Sequence, residues 1–493
     1  MPVVTHVLPE GADLASARSA LTDHLPLRAG RMARRTTTFY DTFDGRLHGA
    51  GLTLQHVGTA LVLSDRETGD QVASGTVGAA PKRLFDRDLP EPLRTWLAPE
   101  IEMRALLPVA KVRGHELPLV VLNEDTKTVA RLTLNVSDNG TRGRVTVTAV
   151  RGYEAALERV KVTLAEKLAL PAATVPLVDE AIVAAGGNPA GTSAKLNLAL
   201  DPDEPANVAA ARVFTRLVEV IRENLPGTLE DVDSEFLHDL RVAVRRTRSL
   251  QRQFKNAYPS ERLQHFRDEF KRIQAITGDL RDLDVYLLDF DDLKASLPEK
   301  LQADLEPLRR VIETRRARAL TATRRGLRAQ RTTDGLSDWE QFVTSRRPVD
   351  RTAKDMASHR ITQVYRKMVK MGSAIDDDSP AEDLHELRKV GKELRYLLEF
   401  FASLYPAEVV KPFVKALKGL QDQLGRFQDR EVQANALREL APALKDEPYT
   451  VMAMGVLVER FMQEEIAART EFAGRFETFA STEQRDIVKE HFA

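Results

Sequence analysis

The chain has no cysteine. Disulfides, thiolate zinc sites and cysteine nucleophiles are therefore excluded. Aromatic residues are scarce, at 6% with two Trp among 493 residues, which limits any surface built to stack bases. No apolar run approaches the ~20 residues that span a bilayer, so no membrane partner is expected. The opening MPVVTHVLPEGAD lacks a basic segment followed by an apolar stretch, and no secretory signal is expected. These features fit a cytoplasmic protein. Net charge is also nearly absent, at −1, but that total hides strong local fields. Residues 241–272 hold ten Arg or Lys against three acids, and residues 309–331 hold nine Arg against one Glu. Local fields of this kind decide partners more than the total does.

What is present is a repeat. His238-Asp-Leu-Arg241-Val-Ala-Val-Arg245-Arg-Thr-Arg248 returns 147 positions later as His385-Glu-Leu-Arg388-Lys-Val-Gly-Lys392-Glu-Leu-Arg395. The offset persists without a gap through Tyr258-Pro259 and Tyr405-Pro406 to Gly278-x-x-x-Asp282 and Gly425-x-x-x-Asp429.

Composition divides the chain around this repeat. Residues 1–187 read as α+β. Leu52–Val57, Ala60–Leu63, Pro118–Leu122, Val129–Val136 and Arg144–Val150 are β-branched, partly alternating and bounded by turn residues. Asp138-Asn-Gly140 is a turn signal, and helical periods appear near 13–24 and 153–169. Residues 188–205, rich in Gly, Pro, Ala and Asp, read as a linker. Residues 206–493 read as all-helical, with helices expected at 206–224, 231–257, 260–289, 298–331, 353–371, 380–404, 407–440 and 448–479. Pro226, Pro259, Pro298, Pro348, Pro380 and Pro406 punctuate them. Eight helices and one repeat predict a pseudo-two-fold pair of four-helix bundles, with halves at about 206–345 and 353–493. Ser234 and Asp383 are the candidate helix caps.

On a helix at 100° per residue, His238, Arg241, Arg245 and Arg248 fall on one stripe about 80° wide and roughly 15 Å long. Arg252 and Lys255 extend it. His385, Arg388, Lys392 and Arg395 form the matching stripe, flanked by Lys389. Like charges at this spacing cost a helix roughly 0.2–0.5 kcal/mol per pair. Compensation comes either from acids on neighbouring helices, with Asp282 and Asp429 in register as candidates, or from an external polyanion. Arg suits phosphate because its planar fork donates two parallel hydrogen bonds. Arg316 and Arg324 in the second basic stretch, and Arg360 and Lys367 ahead of the second motif, add charge; any of these also fits a solvated helix face. One His on each of two distant helices does not make a metal site, which needs three or four ligands, so no metal or cofactor is expected. A structural role for His238 and His385 and direct anion contact both stay open. Gly391 interrupts the second stripe, and close packing is the preferred reason.

LHDLRVAVRRTRSLQRQF at 237–254, LHELRKVGKELRYLLEFF at 384–401 and LGRFQDREV at 424–432 resemble the signatures of the CHAD family, the conserved-histidine α-helical domain. The resemblance covers about 206–493. It implies two pseudo-symmetric helical bundles with a basic surface that binds inorganic polyphosphate, and polyphosphate granules as a location. Carried over by position, that surface includes His238, Arg241, Arg245, Arg248, His385, Arg388, Lys392 and Arg395. TFYDTFDGRLHGAGLTLQHV at 38–57 resembles the CYTH family of triphosphate tunnel enzymes, on Tyr40-Asp41-Thr42, Leu47, Gly51 and Leu54. That resemblance implies an antiparallel β-barrel or tunnel. Active members carry Glu-x-Glu-x-Lys on the first strand, where this chain has Val3-Val4-Thr5-His6-Val7. Gln55-His56 replaces an Arg pair, and Val145–Val150 lacks acids. Metal activation of a triphosphate needs hard oxygen ligands, so no catalysis is expected. The alternatives are a divergent metal-dependent triphosphatase joined to a polyphosphate-binding module, or nucleic-acid binding. Nucleic acid fits less well because the stripes contain almost no aromatics, with Tyr396 the nearest exception.

Overall fold

The computed structural model describes residues 3–138, 140–254, 258–345, 349–376 and 378–492. The chain forms two compact units, Met1–Ser193 and Ala194–Ala493. The stretch 188–205 is anchored rather than loose. Thr192 N donates to Phe43 O at 2.9 Å, while Leu200 is buried in the helical unit and Leu196 and Leu198 pack against the same core.

In the first unit β1 (Val3–Val7), β2 (Leu27–Ala29), β3 (Ala33–Asp41), β4 (Leu52–Val57), β5 (Ala60–Asp65), β6 (Gln71–Thr76), β7 (Leu107–Leu122), β8 (Thr128–Ser137) and β9 (Arg144–Ala149) make one sheet. Its order is β1-β9-β8-β7-β3-β4-β5-β6, with β2 paired to β7, and every pairing is antiparallel. The helices are α1 (Leu14–Thr22), α2 (Arg46–Gly49), α3 (Glu91–Ile101), α4 (Glu154–Val162) and α5 (Leu177–Ala184). Val4 and Thr5 of β1 line the same cavity, of about 850 Å³, as Thr53 and Gln55 of β4 and Ser64 of β5. Strands from opposite ends of the hydrogen-bond order meet there only because the sheet curls, a shape compatible with a CYTH-like tunnel. The strands expected from sequence alternate as they should, for example Thr128–Ser137 with Ala130, Leu132 and Leu134 buried. β3 was not anticipated, because its ARRTTT start is polar; it sits centrally through backbone pairing with β4 and β7. Asn139 of the expected turn lies outside the described residues.

The helical unit comprises α6 (Ala206–Glu230), α7 (Ser234–Gln253), α8 (Ser260–Ile276), α9 (Gly278–Leu288), α10 (Phe290–Ala295), α11 (Glu299–Gln302), α12 (Glu306–Arg328) and α13 (Gln330–Thr344) in the first repeat. The second holds α14 (Ala353–Gly372), α15 (Ala381–Phe400), α16 (Ala407–Leu440), α17 (Pro448–Thr470), α18 (Phe472–Phe479) and α19 (Thr482–His491). The sequence offset is also the structural one: Ala206 and Ala353, Ser234 and Ala381, and Ser260 and Ala407 open equivalent helices 147 positions apart. Residues touch their own repeat mates only near a two-fold axis. Tyr286 Oη donates to Gln433 O at 2.7 Å, and the Phe254 and Phe401 rings lie 6.2 Å apart. Ala206 N donates to Arg351 O and Ala353 N to Glu204 O, both at 2.8 Å, a reciprocal pair. One continuous core joins the halves. Phe266 and its mate Phe413 each anchor an aromatic cluster, one with Trp339 and Phe342, the other with Tyr365 and Phe479.

Several local expectations change, and the helices expected at 298–331 and 448–479 are each divided, before Glu306 and at Glu471. Pro226 does not break a helix; α6 runs through it, held by burial of Gly227 against Phe236. Asp233, not Ser234, caps α7, accepting from Glu235 N and Phe236 N, and Pro380 precedes α15 where Asp383 was the candidate. The single helix expected at 260–289 is two, interrupted at Thr277. Gly391 packs, since a Cβ there would lie 3.1 Å from Met368 Cε.

A Cβ at Gly227 would lie 2.3 Å from the Phe236 ring. Overpacking of this kind costs about 1–3 kcal/mol, and the better helix propensity of Ala returns up to about 1. Gly227→Ala is therefore expected to lower the unfolding free energy by about 1–2 kcal/mol in urea titration. Gly425→Ala, in open space on α16, is expected to raise it by up to about 1 kcal/mol.

Candidate anion-binding surface

The two motif helices α7 and α15 pack directly on each other. Their basic stripes are partly neutralised, and unequally. In the first repeat Arg241 is buried. Its Nη1 donates to Gln274 O at 3.0 Å and Thr277 Oγ1 at 2.9 Å. The guanidinium thus occupies the break between α8 and α9 beside Gly278, where an added Cβ would lie in ordinary contact, 3.8 Å from Arg241 Nη1. Burial, then repulsion from Arg245, lowers the Arg241 pKa to about 10, against an opposing pull from Asp282. In the second repeat α16 runs unbroken through the equivalent position. Arg388 instead reaches Gln428 at 3.4 Å and Asp429 at 3.2 Å.

Other members of the stripes have protein partners. Arg248 donates to Gln274 Oε1, and its pKa is lowered by burial and then by Arg252 and Arg267. Arg395 pairs with Glu399 at 2.7 Å. Lys389 pairs with Glu386 on its own helix. Arg360 donates to Gln253 and Gln363 at 2.7 Å. Arg252 and Lys367 are exposed, and Lys255 lies outside the described residues. His238 is half-buried. Its mate His385 holds Nε2 2.8 Å from Glu431 Oε2 and Nδ1 3.6 Å from Glu382, so this imidazole faces carboxylates. Arg316 is bidentate to Asp231 at 2.6 and 2.9 Å and also reaches Asp284 at 2.6 Å; these contacts raise its pKa. Arg324 Nε donates to Leu229 O at 2.7 Å. These two turn inward and brace the fold.

Arg245 and Lys392 remain, the same place in each repeat. Lys392 is half-buried, and its pKa falls from the usual 10.5 to about 8. Burial is the main cause, followed by Arg388 and then Arg245. Arg245 acts on both Arg241 and Lys392, which places members of the two stripes in one cationic patch. Its Nε is buried without a hydrogen-bond partner. Among the described residues neither Arg245 nor Lys392 is ion-paired. Sequence reasoning missed Gln274, Thr277 and Arg267 on α8; an i, i+7 spacing of Arg267 and Gln274 with Lys271 between them was the available signal.

In the first unit, Arg66 and Arg144 line the cavity, and neither was singled out from sequence. Arg66 pairs with Asp179 of α5. Arg144 lies 3.0 Å from Glu180 and donates to Val175 O at 2.9 Å. Gln55 lines the cavity, while His56 Nε2 contacts Gly78 O at 2.9 Å and His6 Nδ1 contacts Leu170 O at 2.8 Å. Among the described residues no group of three or more His, Asp or Glu is arranged to hold a metal ion.

A family model of the CHAD domain matches residues 212–438. The crystal structure of the CHAD domain from the plant Ricinus communis aligns at a TM-score of 0.50 with 24% identity, covering 57% of this chain and 95% of that one. PptA from Streptomyces chartreusis aligns at 0.44 with 18% identity, over 55% and 99%. No curated protein matches the chain. The helical unit carries a CHAD domain, with the shared fold supported by the plant structure.

The depressed Lys392 pKa makes the protein pH-sensitive in a defined direction. Between pH 8 and 10.5 the unfolded chain binds this proton more readily than the folded one, so stability rises with pH across that window. Lys392→Met is expected to flatten that slope in denaturant titrations at pH 8 and pH 10.

Proposed function

We propose that the helical unit binds inorganic polyphosphate where α7 and α15 meet, and that the chain acts by binding rather than by catalysis. The observation that carries this reading is the pair Arg245 and Lys392. The two hold equivalent places in the repeat and share one patch, and among the described residues neither is ion-paired, Asp429 and Asp282 acting on them only from further off. A bound phosphate chain supplies counter-charge, favours the protonated form of Lys392 and gives the guanidinium forks their acceptors. Arg245, Arg248, Arg252, Arg388, Lys392 and Arg395 form the proposed contact surface, and Arg267 and Lys271 of α8 extend it beside Arg248. Arg241 positions this surface through the α8–α9 break. His238 and His385 stand at the heads of the stripes, and His385 orders α15 against α16 through Glu431.

A bare phosphate chain suits this surface better than nucleic acid. The aromatic side chains of the unit are largely spent in its core, and Tyr396 is covered by Arg246, 5.9 Å from its ring centroid. Base stacking has no platform there. A protein with this ligand collects where polyphosphate is stored, which places it in the cytoplasm on polyphosphate granules. For the first unit we infer a non-catalytic role. β1 offers no carboxylate, and the two cavity arginines already hold Asp179 and Glu180. Release of phosphate from tripolyphosphate with Mg²⁺ or Mn²⁺ would overturn that inference.

Binding is expected to weaken with salt, as for other polyphosphate backbones. Arg245→Ala/Lys392→Ala removes two phosphate contacts. Charge-assisted hydrogen bonds contribute about 1.5–3 kcal/mol each, so affinity should fall at least about tenfold. The slope of log K against log salt should fall by about 1.5, from roughly 0.7–0.9 per contact. Far-UV circular dichroism should not change. Equal affinity of variant and parent, or stronger binding of single-stranded DNA at matched phosphate and salt, would refute the assignment. Isothermal titration near pH 9 in buffers of different ionisation enthalpy should show proton uptake on binding, lost in Lys392→Arg although that variant still binds.

A further inference from the structure

The nine arginines at 309–331 separate into two rows. Arg309 pairs with Asp291 and sits over the Phe290 ring, 4.2 Å from its centroid. Arg316 is held by Asp231 and Asp284, Arg324 by Leu229 O, and Arg331 by Glu269. Arg309, Arg316 and Arg324 lie on the side of Leu320, which packs on Leu237 of α7 and Leu280 of α9, whereas Arg331 belongs to α13 and is exposed though paired. Arg310, Arg315, Arg318, Arg325 and Arg328 are exposed, and among the described residues none is ion-paired. With Arg310 at 0° on the helical wheel, Arg318, Arg325 and Arg328 fall near 80°, 60° and 0°, Arg315 flanks them near 140°, and the paired Arg324, Arg309 and Arg316 fall near −40°, −100° and −120°. The outer row spans roughly 27 Å at 1.5 Å per residue. Thr314, Ala317 and Thr321 lie within it, so short side chains leave a shallow trough between the guanidinium groups. At the Arg310 end the row opens into a cleft of about 500 Å³, lined also by Thr314, Arg315 and Arg318 and closed by Asp446 and Glu447. α12 carries no aromatic residue.

We propose that this outer row of α12 is a second phosphate-chain contact, separate from the Arg245–Lys392 patch, so that one molecule holds two chains and joins them. The proposal rests on the polyphosphate reading of the helical unit. Its own support is geometric. α9 and α8 pack against α12, and Leu320 on the inward side shares a cluster with Leu237 of α7, so the outer row is directed away from the side of α12 that meets α7. The row is linear, unpaired and free of aromatics, which matches an extended anion that presents phosphate and no base. Two surfaces facing apart make one protein divalent, and divalence links long chains into assemblies without any further contact.

Native mass spectrometry with short-chain polyphosphate should show two chains on the full protein. Arg315→Ala/Arg318→Ala/Arg325→Ala/Arg328→Ala should retain one, and so should Arg245→Ala/Lys392→Ala. Replacing the same four arginines with Lys should restore the second chain, which separates charge loss from misfolding. With long-chain polyphosphate, light scattering should report large assemblies for the full protein and their loss in the four-alanine variant. Two chains still bound by that variant, or undiminished assembly, would overturn the proposal. A single chain on the full protein, lost only with Arg245→Ala/Lys392→Ala, would also overturn it and leave the first patch standing. A single chain lost only with the α12 variant would overturn it too, leaving the α12 row as the binding surface and removing the first patch. No binding by any form would refute both.

Discussion

Repulsion among like charges brought together by symmetry is the constraint on which the helical unit depends. A repeat that puts His-x-x-Arg-x-x-x-Arg/Lys-x-x-Arg on both motif helices, and then packs those helices together, concentrates cations where protein surrounds them. Each charge in such a place needs a partner or carries a cost. The fold offsets most of them locally: Arg388 by Asp429, Arg395 by Glu399, Arg248 by Gln274. It leaves Arg245 and Lys392 without an ion pair among the described residues, and these two carry the proposed anion contact. A strongly shifted group such as Lys392 within such a patch is a common mark of a functional surface.

The two halves solve the same problem differently. The first half breaks a helix at Thr277, and the opened carbonyl of Gln274 and the Thr277 hydroxyl receive Arg241. The second half keeps α16 whole and uses an ion pair to Asp429 near its solvent-facing side. A residue with no acid in reach is thus satisfied by backbone, and that requires a helix end, because only there is a carbonyl free to accept. Symmetry is retained at the backbone, in the reciprocal bonds of Ala206 and Ala353, and relaxed in the side chains.

The first unit shows the opposite economy. Its cavity holds two arginines, Arg66 and Arg144, and the fold supplies their counter-charges from its own α5. A cavity whose cations are already paired has little electrostatic reason to attract a triphosphate. The same chain therefore contains cations that are neutralised from within and cations that are not.

Much of the architecture was legible in sequence because it rests on period. Alternation in Val129–Val136 and Arg144–Val150, the helical stripes and the fixed offset of 147 all follow from how side chains repeat along strands and helices. The identity and register of the motif residues were legible for the same reason. Their state of charge compensation was not. Arg316 and Arg324 read in sequence as members of a basic stretch, and only packing turned them toward Asp231, Asp284 and Leu229 while leaving Arg315, Arg318, Arg325 and Arg328 outside. Asp282 and Asp429 looked equivalent in register, yet Asp429 pairs with its arginine and Asp282 acts on Arg241 only from nearby. The central strand β3 escaped notice because its place is set by hydrogen bonds to β4 and β7, which leave no mark in composition. By itself the sequence determined which residues lie on which face of each element, since that is a property of local geometry. The tertiary structure alone decided which charges meet a partner, since that depends on distances between segments far apart in the chain and on how much water the packing leaves between them.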